Sequence, residues 1–516
     1  MMKRCAVAVA ILLACAGELA RPVTVQAQAA SPKMASHAEC SHLTMIHFPD
    51  VKITAAAAVA EGASTDAAQP GSVVPGRIRA AHCRVEGTIG TEIHFRLLLP
   101  DAWNHKFLMG GGGGFVGTID NQAQTAVNLG FATVGTDTGH RGGVTDASWA
   151  KDNLERQLNF GYLAVHRTAE AAKAIIHSYY DAPSEKNYFS GCSNGGRQAL
   201  MEAQRFPDDF DGIVAGAPAY DFVGVAAQFV KDIQAAFPDS KVNTPLFTPA
   251  TLKSVEAQIL EKCDAIDGVK DGLMEDPRKC TANVDALTGL TPPQRDALKK
   301  IYGATGRDGS VYTAQPVGGE GDPTGWPLWI TGGGPLTTPQ GPSLRYGFGT
   351  QFFKYFVFDD PAWDYTKYDV SAARKDGARA ATFMSATDAK LDAFKAGNHR
   401  LILWHGWSDP ALTALASAKY YEQAEAGDPK IRDTFRMFMM PGVLHCGGGP
   451  GPDSADWTSA IVDWVEKSKA PDRIVAKKLA ADGSVTRSRP VCPYPQHAVY
   501  SGSGSTDDEK SFSCNK

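Results

Sequence analysis

Residues 191–195 (GCSNG) form the pattern G-x-S-x-G, and this short stretch constrains the fold more than any other. The run before it, 186–190 (KNYFS), has the aromatic content of a short strand. The run after it, 197–206 (RQALMEAQRF), has the apolar spacing of a helix. Glycine is needed on both sides because the strand and helix backbones approach too closely there for side chains. The pattern also arises by chance, but these flanking elements favour a sharp strand-to-helix turn that exposes the hydroxyl of Ser193.

Strands and helices alternate along much of the chain. Residues 81–100 alternate like two paired antiparallel strands, and residues 153–180 have the spacing of a long helix. Buried strands are predicted at residues 107–109, 131–137, 212–218, 400–405 and 434–440. This rhythm predicts the α/β class, with a mostly parallel sheet flanked by helices, and the serine turn indicates an α/β-hydrolase core.

The rhythm is interrupted between about residues 221 and 383, where Gly/Pro-rich loops and an aromatic cluster replace it. We therefore predict a large inserted lid that caps the sheet. Residues 30–69 are expected to be an extended arm, and the tail beyond Pro471 is expected to be loop-like. The predicted regions are a leader at 1–29, the first part of the core at 30–220, the lid at 221–383 and the second part of the core at 384–516.

The first 29 residues have the three parts of an export signal. A basic start (MMKR) precedes an apolar run at 5–16, and residues 27–29 (AQA) form a small-x-small cleavage site. The apolar run is too short to span a bilayer, and no later stretch qualifies. The mature chain is thus predicted to be secreted or periplasmic, with lipid attachment at Cys15 as the alternative.

Charge and cysteine content narrow the class further. The net charge is -5 with a pI near 6.2, and no block of Lys or Arg stands out, so we expect neither nucleic-acid binding nor binding to an acidic membrane surface. Composition gives no indication of an oligomeric state. An even number of cysteines in an exported chain predicts four disulfides. Eight of the ten cysteines lie beyond the leader: Cys40, Cys83, Cys192, Cys263, Cys280, Cys446, Cys492 and Cys514.

A serine nucleophile requires a base and a carboxylate, and both candidates follow predicted strands. Asp409 follows the strand at 400–405, and His445 follows the strand at 434–440. The order Ser193, Asp409, His445 is that of α/β hydrolases, and the carboxyl edge of such sheets holds the site. The alternative is that Asp409 caps a helix starting near residue 411 and that His445 is an ordinary loop residue. His405 is a weaker candidate base and is predicted to form a wall of the pocket.

The cysteines beside the nucleophile and the base suggest a link between them. If Ser193 and His445 are within hydrogen-bonding reach, then Cys192 and Cys446 fall within the Cα separation that a disulfide requires. Such a bond would hold nucleophile and base together across some 250 residues. The alternative, two separate buried thiols, fits poorly with an exported chain.

Acyl transfer also requires donors for the developing oxyanion. The amide of Asn194, just after the nucleophile, is the expected first donor. The second is predicted to come from the five glycines at 110–114, most specifically from Gly111 or Gly112. A phosphate-binding loop is a poor interpretation because Gly-Lys-Ser/Thr does not follow. A merely flexible loop remains the alternative.

These motifs together resemble those of the tannase and feruloyl esterase family. The likeness covers the Gly-rich loop, GCSNGGRQ, AGAPA, the acidic turn, HGWSDP, PGVLHCGGGPGP and CPYPQ, which is nearly the whole mature chain. The resemblance implies an exported esterase with a disulfide-linked serine triad that acts on small or polymer-derived esters of aromatic acids. It also implies the three remaining cysteine pairs: Cys40–Cys83, Cys263–Cys280 and Cys492–Cys514.

An acidic turn at 263–273 presents three aspartates in eight residues, and hard calcium takes several oxygen ligands. The spacing is not that of an EF-hand, but the resemblance implies a structural Ca²⁺ in the lid. The alternative is a solvated acidic turn. The candidate ligands are Asp264, Asp267, Asp271 and the carbonyls of Val269 and Leu273.

Substrate selection is expected to depend on the aromatic stretch at 326–356, which could stack on a flat acyl group. The family position singles out Phe348, and Leu412 is expected on the acyl side. Terephthalate-monoester hydrolases of this family hold the free carboxylate with a lid arginine, and Arg345 is nearby, but we do not assign it that role.

The sequence thus predicts a secreted serine esterase of the feruloyl esterase or tannase type. Within the same class, the substrate could be a terephthalate monoester. In other classes, the triad could cleave peptides, or the chain could be an inactive module that binds aromatic material.

Overall fold

The computed structural model describes residues 37–64, 77–238, 242, 244–334 and 341–515. The predicted leader and Cys15 lie outside this part of the chain. None of its helices is long and apolar enough to cross a membrane.

A sheet of nine strands forms the centre of the molecule, in the order β1-β2-β3-β5-β4-β6-β7-β8-β9. The first four strands in this order pair antiparallel, and those from β5 to β9 pair parallel. Two small two-stranded sheets complete the strands, β10-β11 and β12-β13. The bounds are β1 Val51–Val59, β2 His82–Ile89, β3 Ile93–Pro100, β4 Lys106–Gly110, β5 Ala132–Thr136, β6 Lys186–Cys192, β7 Gly212–Gly216, β8 Arg400–Gly406, β9 Phe435–Met440, β10 Ile474–Leu479, β11 Val485–Val491, β12 His497–Tyr500 and β13 Phe512–Asn515.

The parallel strands are apolar on both sides, as a sheet covered by helices on two faces requires. Along them, successive side chains enter opposite apolar clusters: Ile213 and Leu401 pack on one face, and Val214 and Ile402 on the other. This confirms the α/β-hydrolase core predicted from the strand–helix rhythm.

Helices cover both faces of the sheet. α2 and α3 pack in the first cluster and α12 in the second. The helices are α1 Leu154–Leu158, α2 Ala164–Tyr180, α3 Asn194–Arg205, α4 Phe222–Ala236, α5 Pro249–Cys263, α6 Pro292–Tyr302, α7 Leu344–Phe352, α8 Ala373–Asp376, α9 Ala378–Met384, α10 Asp392–Ala396, α11 Ala414–Gly427 and α12 Trp457–Lys467.

The chain between β7 and β8 holds α4 to α10, and its described residues contribute no strand to the central sheet. Its aromatic side chains join the main core, because Phe222, Phe352 and Phe356 pack in the same apolar cluster as the sheet. The inserted segment is therefore continuous with the core that it covers.

Two expectations about the ends of the fold are wrong. Part of the expected N-terminal arm forms β1, which pairs antiparallel with β2 at the sheet edge. The tail is not loop-like, because it forms the β10–β11 and β12–β13 ribbons. The pair Asp482-Gly483 between β10 and β11 is a common hairpin turn signal that indicates this ribbon.

Four disulfides connect the elements in the predicted pattern. Three of them close short stretches of chain, with sequence separations of 43, 17 and 22 residues. The fourth closes 254 residues. The pairs are Cys40–Cys83, Cys263–Cys280, Cys492–Cys514 and Cys192–Cys446.

Candidate active site

Ser193 lies between β6 and α3, on the predicted sharp turn. Its backbone has φ 66° and ψ -124°, which side-chain-bearing residues rarely adopt away from functional sites. A Cβ at Gly195 would lie 2.5 Å from Gln122 Oε1, and one at Gly191 would lie 2.7 Å from the Gly195 carbonyl carbon. Both flanking glycines are therefore required by close packing.

The three predicted triad residues meet at the carboxyl edge of the sheet. Ser193 Oγ lies 2.8 Å from His445 Nε2, and His445 Nδ1 lies 2.8 Å from Asp409 Oδ2. With Nδ1–H donating to the carboxylate, Nε2 accepts the serine hydroxyl proton. This is the arrangement of a nucleophile, its base and the carboxylate that orients the base.

Asp409 is fully buried and its two oxygens have different partners. Oδ1 accepts from the N–H groups of Ala411 and Leu412 at 2.7 and 2.9 Å. α11 begins only at residue 414, so Asp409 does not cap it, and that alternative is wrong. Burial alone would raise the Asp409 pKa, but the charge of His445 and the hydrogen bonds from both histidines outweigh burial and lower this pKa below its ordinary value. The folded environment therefore favours the ionised carboxylate.

His405 is not a pocket wall, and that prediction is wrong. It is buried beneath the site, where Nε2 lies 3.1 Å from both Asp409 Oδ2 and the Leu412 carbonyl oxygen. Its Nδ1 lies 2.8 Å from Ser417 Oγ. The ring that reaches Ser193 is that of His445, so His405 instead supports Asp409 from behind.

The glycine loop after β4 supplies a second correction. The N–H of Gly111 donates to the Ser190 carbonyl at 3.0 Å, and the N–H of Gly112 donates to Gln198 Oε1 at 3.0 Å. Neither group is free to face an oxyanion, so the prediction that one of them is the second donor is wrong. These hydrogen bonds join the loop to β6 and α3.

Two other amides are placed to bind an oxyanion. Asn194 is the first residue of α3, where backbone N–H groups lack intrahelical acceptors and the helix dipole favours negative charge. Gly114 lies on the cavity beside Ser193, and its N–H has no acceptor among the residues that the structure describes. Asn194 remains as predicted, and Gly114 is the glycine of the 110–114 run that lines the cavity with its N–H unengaged by a described residue.

A cavity opens beside Ser193 and His445. Phe348 and Leu412 lie on its wall, where the sequence analysis placed them. The Trp329 ring also lines it, with its centroid 4.8 Å from that of His445 in an edge-to-face arrangement. Aromatic side chains therefore surround the space next to the nucleophile.

One helical face that lines the cavity was not predicted from the sequence. α4 contributes Phe222, Val225, Ala226 and Phe229, spaced as i, i+3, i+4 and i+7. This stripe is visible in the sequence, but such stripes usually mark a core face. Only the position of α4 above the sheet edge shows that it lines a cavity.

Arg345 does not reach the cavity. It is fully buried and pairs with Asp232, and it donates to Gln315 Oε1 at 2.9 Å. Gln315 in turn donates to the Asp409 carbonyl at 2.9 Å. The arginine thus belongs to a buried network behind the site.

The acidic turn offers oxygens to a cation. The Asp264, Asp267 and Asp271 carboxylates lie in one loop, where Asp264 and Asp267 accept backbone N–H groups. Asp271 and Glu275 pair with one buried guanidinium, that of Arg489. The carbonyls of residues 269 and 273 accept no hydrogen bond from a described residue. No three of the carboxylates lie within 4.8 Å of one another in the described chain, so cation binding would require them to close. The donor set, with its excess negative charge, fits a hard cation.

A family model, curated relatives and solved structures match most of the chain. The model of the tannase and feruloyl esterase family matches residues 77–515. The chain is 34% identical to an uncharacterised esterase of Xanthomonas campestris, over 92% of the chain and 91% of the relative. It is 32% identical to the mono(2-hydroxyethyl) terephthalate hydrolase of Piscinibacter sakaiensis, over 93% and 92%. The structure resembles feruloyl esterase B of Aspergillus oryzae with a TM-score of 0.82 and 27% identity, covering 92% of this chain and 100% of that one.

Proposed function

Because the chain belongs to the tannase and feruloyl esterase family, we propose that it is a serine carboxylesterase that hydrolyses esters of aromatic acids. The observation that carries the proposal is the continuous hydrogen-bonded chain from Ser193 through His445 to Asp409. This chain opens onto an aromatic-lined cavity. It also favours an active enzyme over a module that only binds, and the esterase relatives favour esters over peptides.

Acylation begins when Ser193 Oγ attacks the ester carbonyl carbon and its proton moves to His445 Nε2. Asp409 holds the ring orientation and stabilises the imidazolium. As the tetrahedral intermediate collapses, the bond between carbon and the alkoxy oxygen breaks, and His445 gives its proton to the departing alcohol. The product is an acyl-serine.

Deacylation repeats these steps with water. His445 takes a proton from a water molecule, whose oxygen adds to the acyl carbon, and then returns the proton to Ser193 Oγ as the acid leaves. In both stages the carbonyl oxygen becomes negative and accepts from the amides of Asn194 and Gly114. These donors lie on a fixed turn and loop, so little reorganisation is needed.

Replacement of the nucleophile tests the proposal. Ser193→Ala should lower kcat on p-nitrophenyl acetate by about 10⁶-fold or to the detection limit. Ser190→Ala is the matched control, because this buried β6 hydroxyl has no partner among the described residues and should be dispensable. A serine-reactive phosphonate should label the wild type and the control at Ser193. Full activity or labelling in Ser193→Ala would refute the assignment.

We also propose that the loop at 264–273 binds a structural Ca²⁺ through Asp264, Asp267, Asp271 and the carbonyls of Val269 and Leu273. The excess of carboxylates over guanidinium groups supports this. When bound, the ion would cross-link the loop and take no part in acyl transfer.

We further propose that the protein is exported and cleaved after Ala29. The four disulfides support this, since such bonds persist mainly outside the cytosol. N-terminal sequencing of protein recovered from the periplasm or medium should begin at residue 30. A mature chain that retains Met1 would contradict the proposal.

A further inference from the structure

The acyl cavity offers almost no polar group to its contents. Among the described residues that line it, the side chains with polar atoms are Ser193, Asn194, Trp329 and His445, and none of them is a lysine or an arginine. The first and last are committed to the triad. The Asn194 side chain is also engaged, because Nδ2 donates to the Gly112 carbonyl at 3.0 Å and Oδ1 accepts from Arg197 at 2.8 Å.

The rest of the lining is apolar. It comes from the α4 face, from Phe348 and Phe352 of α7, and from Ala219, Ala411 and Leu412. A polar group placed in such an environment loses its hydration without gaining a hydrogen bond, and a charged group loses far more. The cavity wall therefore discriminates by charge.

On this basis, and resting on the esterase function proposed above, we infer that the cavity selects uncharged acyl groups. A carboxylate para to the scissile ester would lie inside the cavity with no cation on its described walls. A ring with three hydroxyls would leave most of them without partners. Neutral benzoate-like and cinnamate-like esters are the substrates that fit, whereas terephthalate monoesters and gallates are disfavoured.

Phe229 is the residue that keeps the cavity uncharged. Its ring lines the cavity, and the Arg345 guanidinium carbon lies 5.2 Å from the ring centroid on the other side. Arg345 Nε has no acceptor among the described residues. The Arg345–Asp232 pair, with the unengaged Nε–H of the arginine, thus lies against the Phe229 ring and outside the described cavity lining.

A matched pair of substrates tests the charge selection. Dimethyl terephthalate and monomethyl terephthalate share the ring and the methanol leaving group. The para substituent is a neutral methyl ester in the first and a negatively charged carboxylate in the second. At pH 7.5, kcat/KM per ester bond, with the diester value halved for its two sites, should favour the neutral ester by about 100-fold or more. Methyl benzoate should likewise exceed methyl gallate. Equal or better cleavage of the monoanion would overturn the inference.

A pair of variants tests the screening role. Phe229→Ala should raise the ratio of monoanion to neutral-ester kcat/KM at least tenfold, because it opens the cavity to Arg345. Phe348→Ala removes the same side chain from a wall position that packs on Phe115 and Trp329, and it should leave the ratio unchanged. The ratio is insensitive to loss of folded protein. An unchanged ratio in Phe229→Ala would overturn the role given to Phe229.

The outcomes separate this inference from the esterase function. Hydrolysis of p-nitrophenyl acetate and phosphonate labelling at Ser193 report the function alone. Activity in these two assays together with a preference for the monoanion refutes the charge selection and leaves the esterase intact. Inactivity in both assays refutes the esterase and the selection with it.

Discussion

Cys192 and Cys446 are joined by a disulfide with their Cα atoms 5.9 Å apart, although 254 positions separate them in the chain. Each is the direct neighbour of a triad residue, Cys192 of Ser193 and Cys446 of His445. The bond therefore fixes the turn that carries the nucleophile against the loop that carries its base. The hydrogen bond between Ser193 and His445 therefore has a covalent constraint beside each of its partners.

Removing this bond should impair both stability and catalysis. In the chain-entropy model, whose mechanism is disputed, the Cys192→Ala/Cys446→Ala pair loses about 5 kcal/mol of unfolding free energy. A shift of about 1 Å between nucleophile and base should lower kcat by about 100-fold. Denaturant unfolding and p-nitrophenyl acetate hydrolysis measure the two effects.

The Cys492→Ala/Cys514→Ala pair is the control, because this bond closes 22 residues of the C-terminal ribbon. This double substitution should lower the unfolding free energy by about 3 kcal/mol and leave kcat unchanged. An equal loss of kcat in both pairs would show that the 192–446 bond has no special role in the site.

The oxyanion donors can be identified by a crystal structure of the phosphonate adduct at Ser193. We expect the phosphonyl oxygen about 2.7–3.1 Å from the amide nitrogens of Asn194 and Gly114. The amides of Gly111 and Gly112 should keep their hydrogen bonds to Ser190 and Gln198. Rotation of either amide toward the phosphonyl oxygen would restore the donor first predicted from the sequence.

Calcium removal should destabilise the protein without changing its chemistry. Chelation by EDTA should lower Tm by several degrees and added Ca²⁺ should restore it, because a ligand that binds only the folded state stabilises it. Initial kcat at 25 °C should stay the same. Asp264→Asn/Asp267→Asn should remove the response, and Asp308→Asn, at an exposed lid position, should retain it. A Tm in wild type that ignores both EDTA and Ca²⁺ would refute the site.

Acid should destabilise the fold through His140. Burial lowers the pKa of this histidine to about 4, and its Nε2 lies 2.9 Å from the Phe115 carbonyl oxygen. The unfolded chain binds the proton more readily, so stability is complete above pH 6.5 and falls as the pH drops from 6.5 to 4. The difference in His140 pKa between the unfolded and the folded chain corresponds to about 3 kcal/mol of unfolding free energy.

His140→Gln keeps a donor for the Phe115 carbonyl and does not titrate. Urea unfolding at pH 7 and pH 4 should therefore show a loss on acidification about 3 kcal/mol smaller in this variant than in wild type. The comparison between variants cancels the carboxylates that titrate in both. If wild type and His140→Gln lose the same unfolding free energy between pH 7 and pH 4, then His140 is protonated in the folded state.

The sequence was sufficient for features that local pattern fixes. The serine turn could be predicted because its glycines are required by close packing, and the triad order followed from which strands precede Asp409 and His445. The disulfide between Cys192 and Cys446 followed from the proximity of their neighbours.

Features that depend on three-dimensional hydrogen bonding could not be predicted. The second oxyanion donor is assigned to Gly114 because the N–H groups of Gly111 and Gly112 already donate to the Ser190 carbonyl and to Gln198. His405 follows a strand end just as a pocket residue would, and only its contact with Asp409 distinguishes the two roles. The apolar stripe on α4 is the same whether it faces a core or a cavity.

The residues that perform the reaction follow β6, β8 and β9, whereas most of the surface around the acyl group comes from the inserted chain between β7 and β8. Chemistry and selectivity are thus encoded in separate stretches of the gene. Substitution of the inserted segment alone could therefore change the substrate specificity of a relative, while the catalytic residues stay the same.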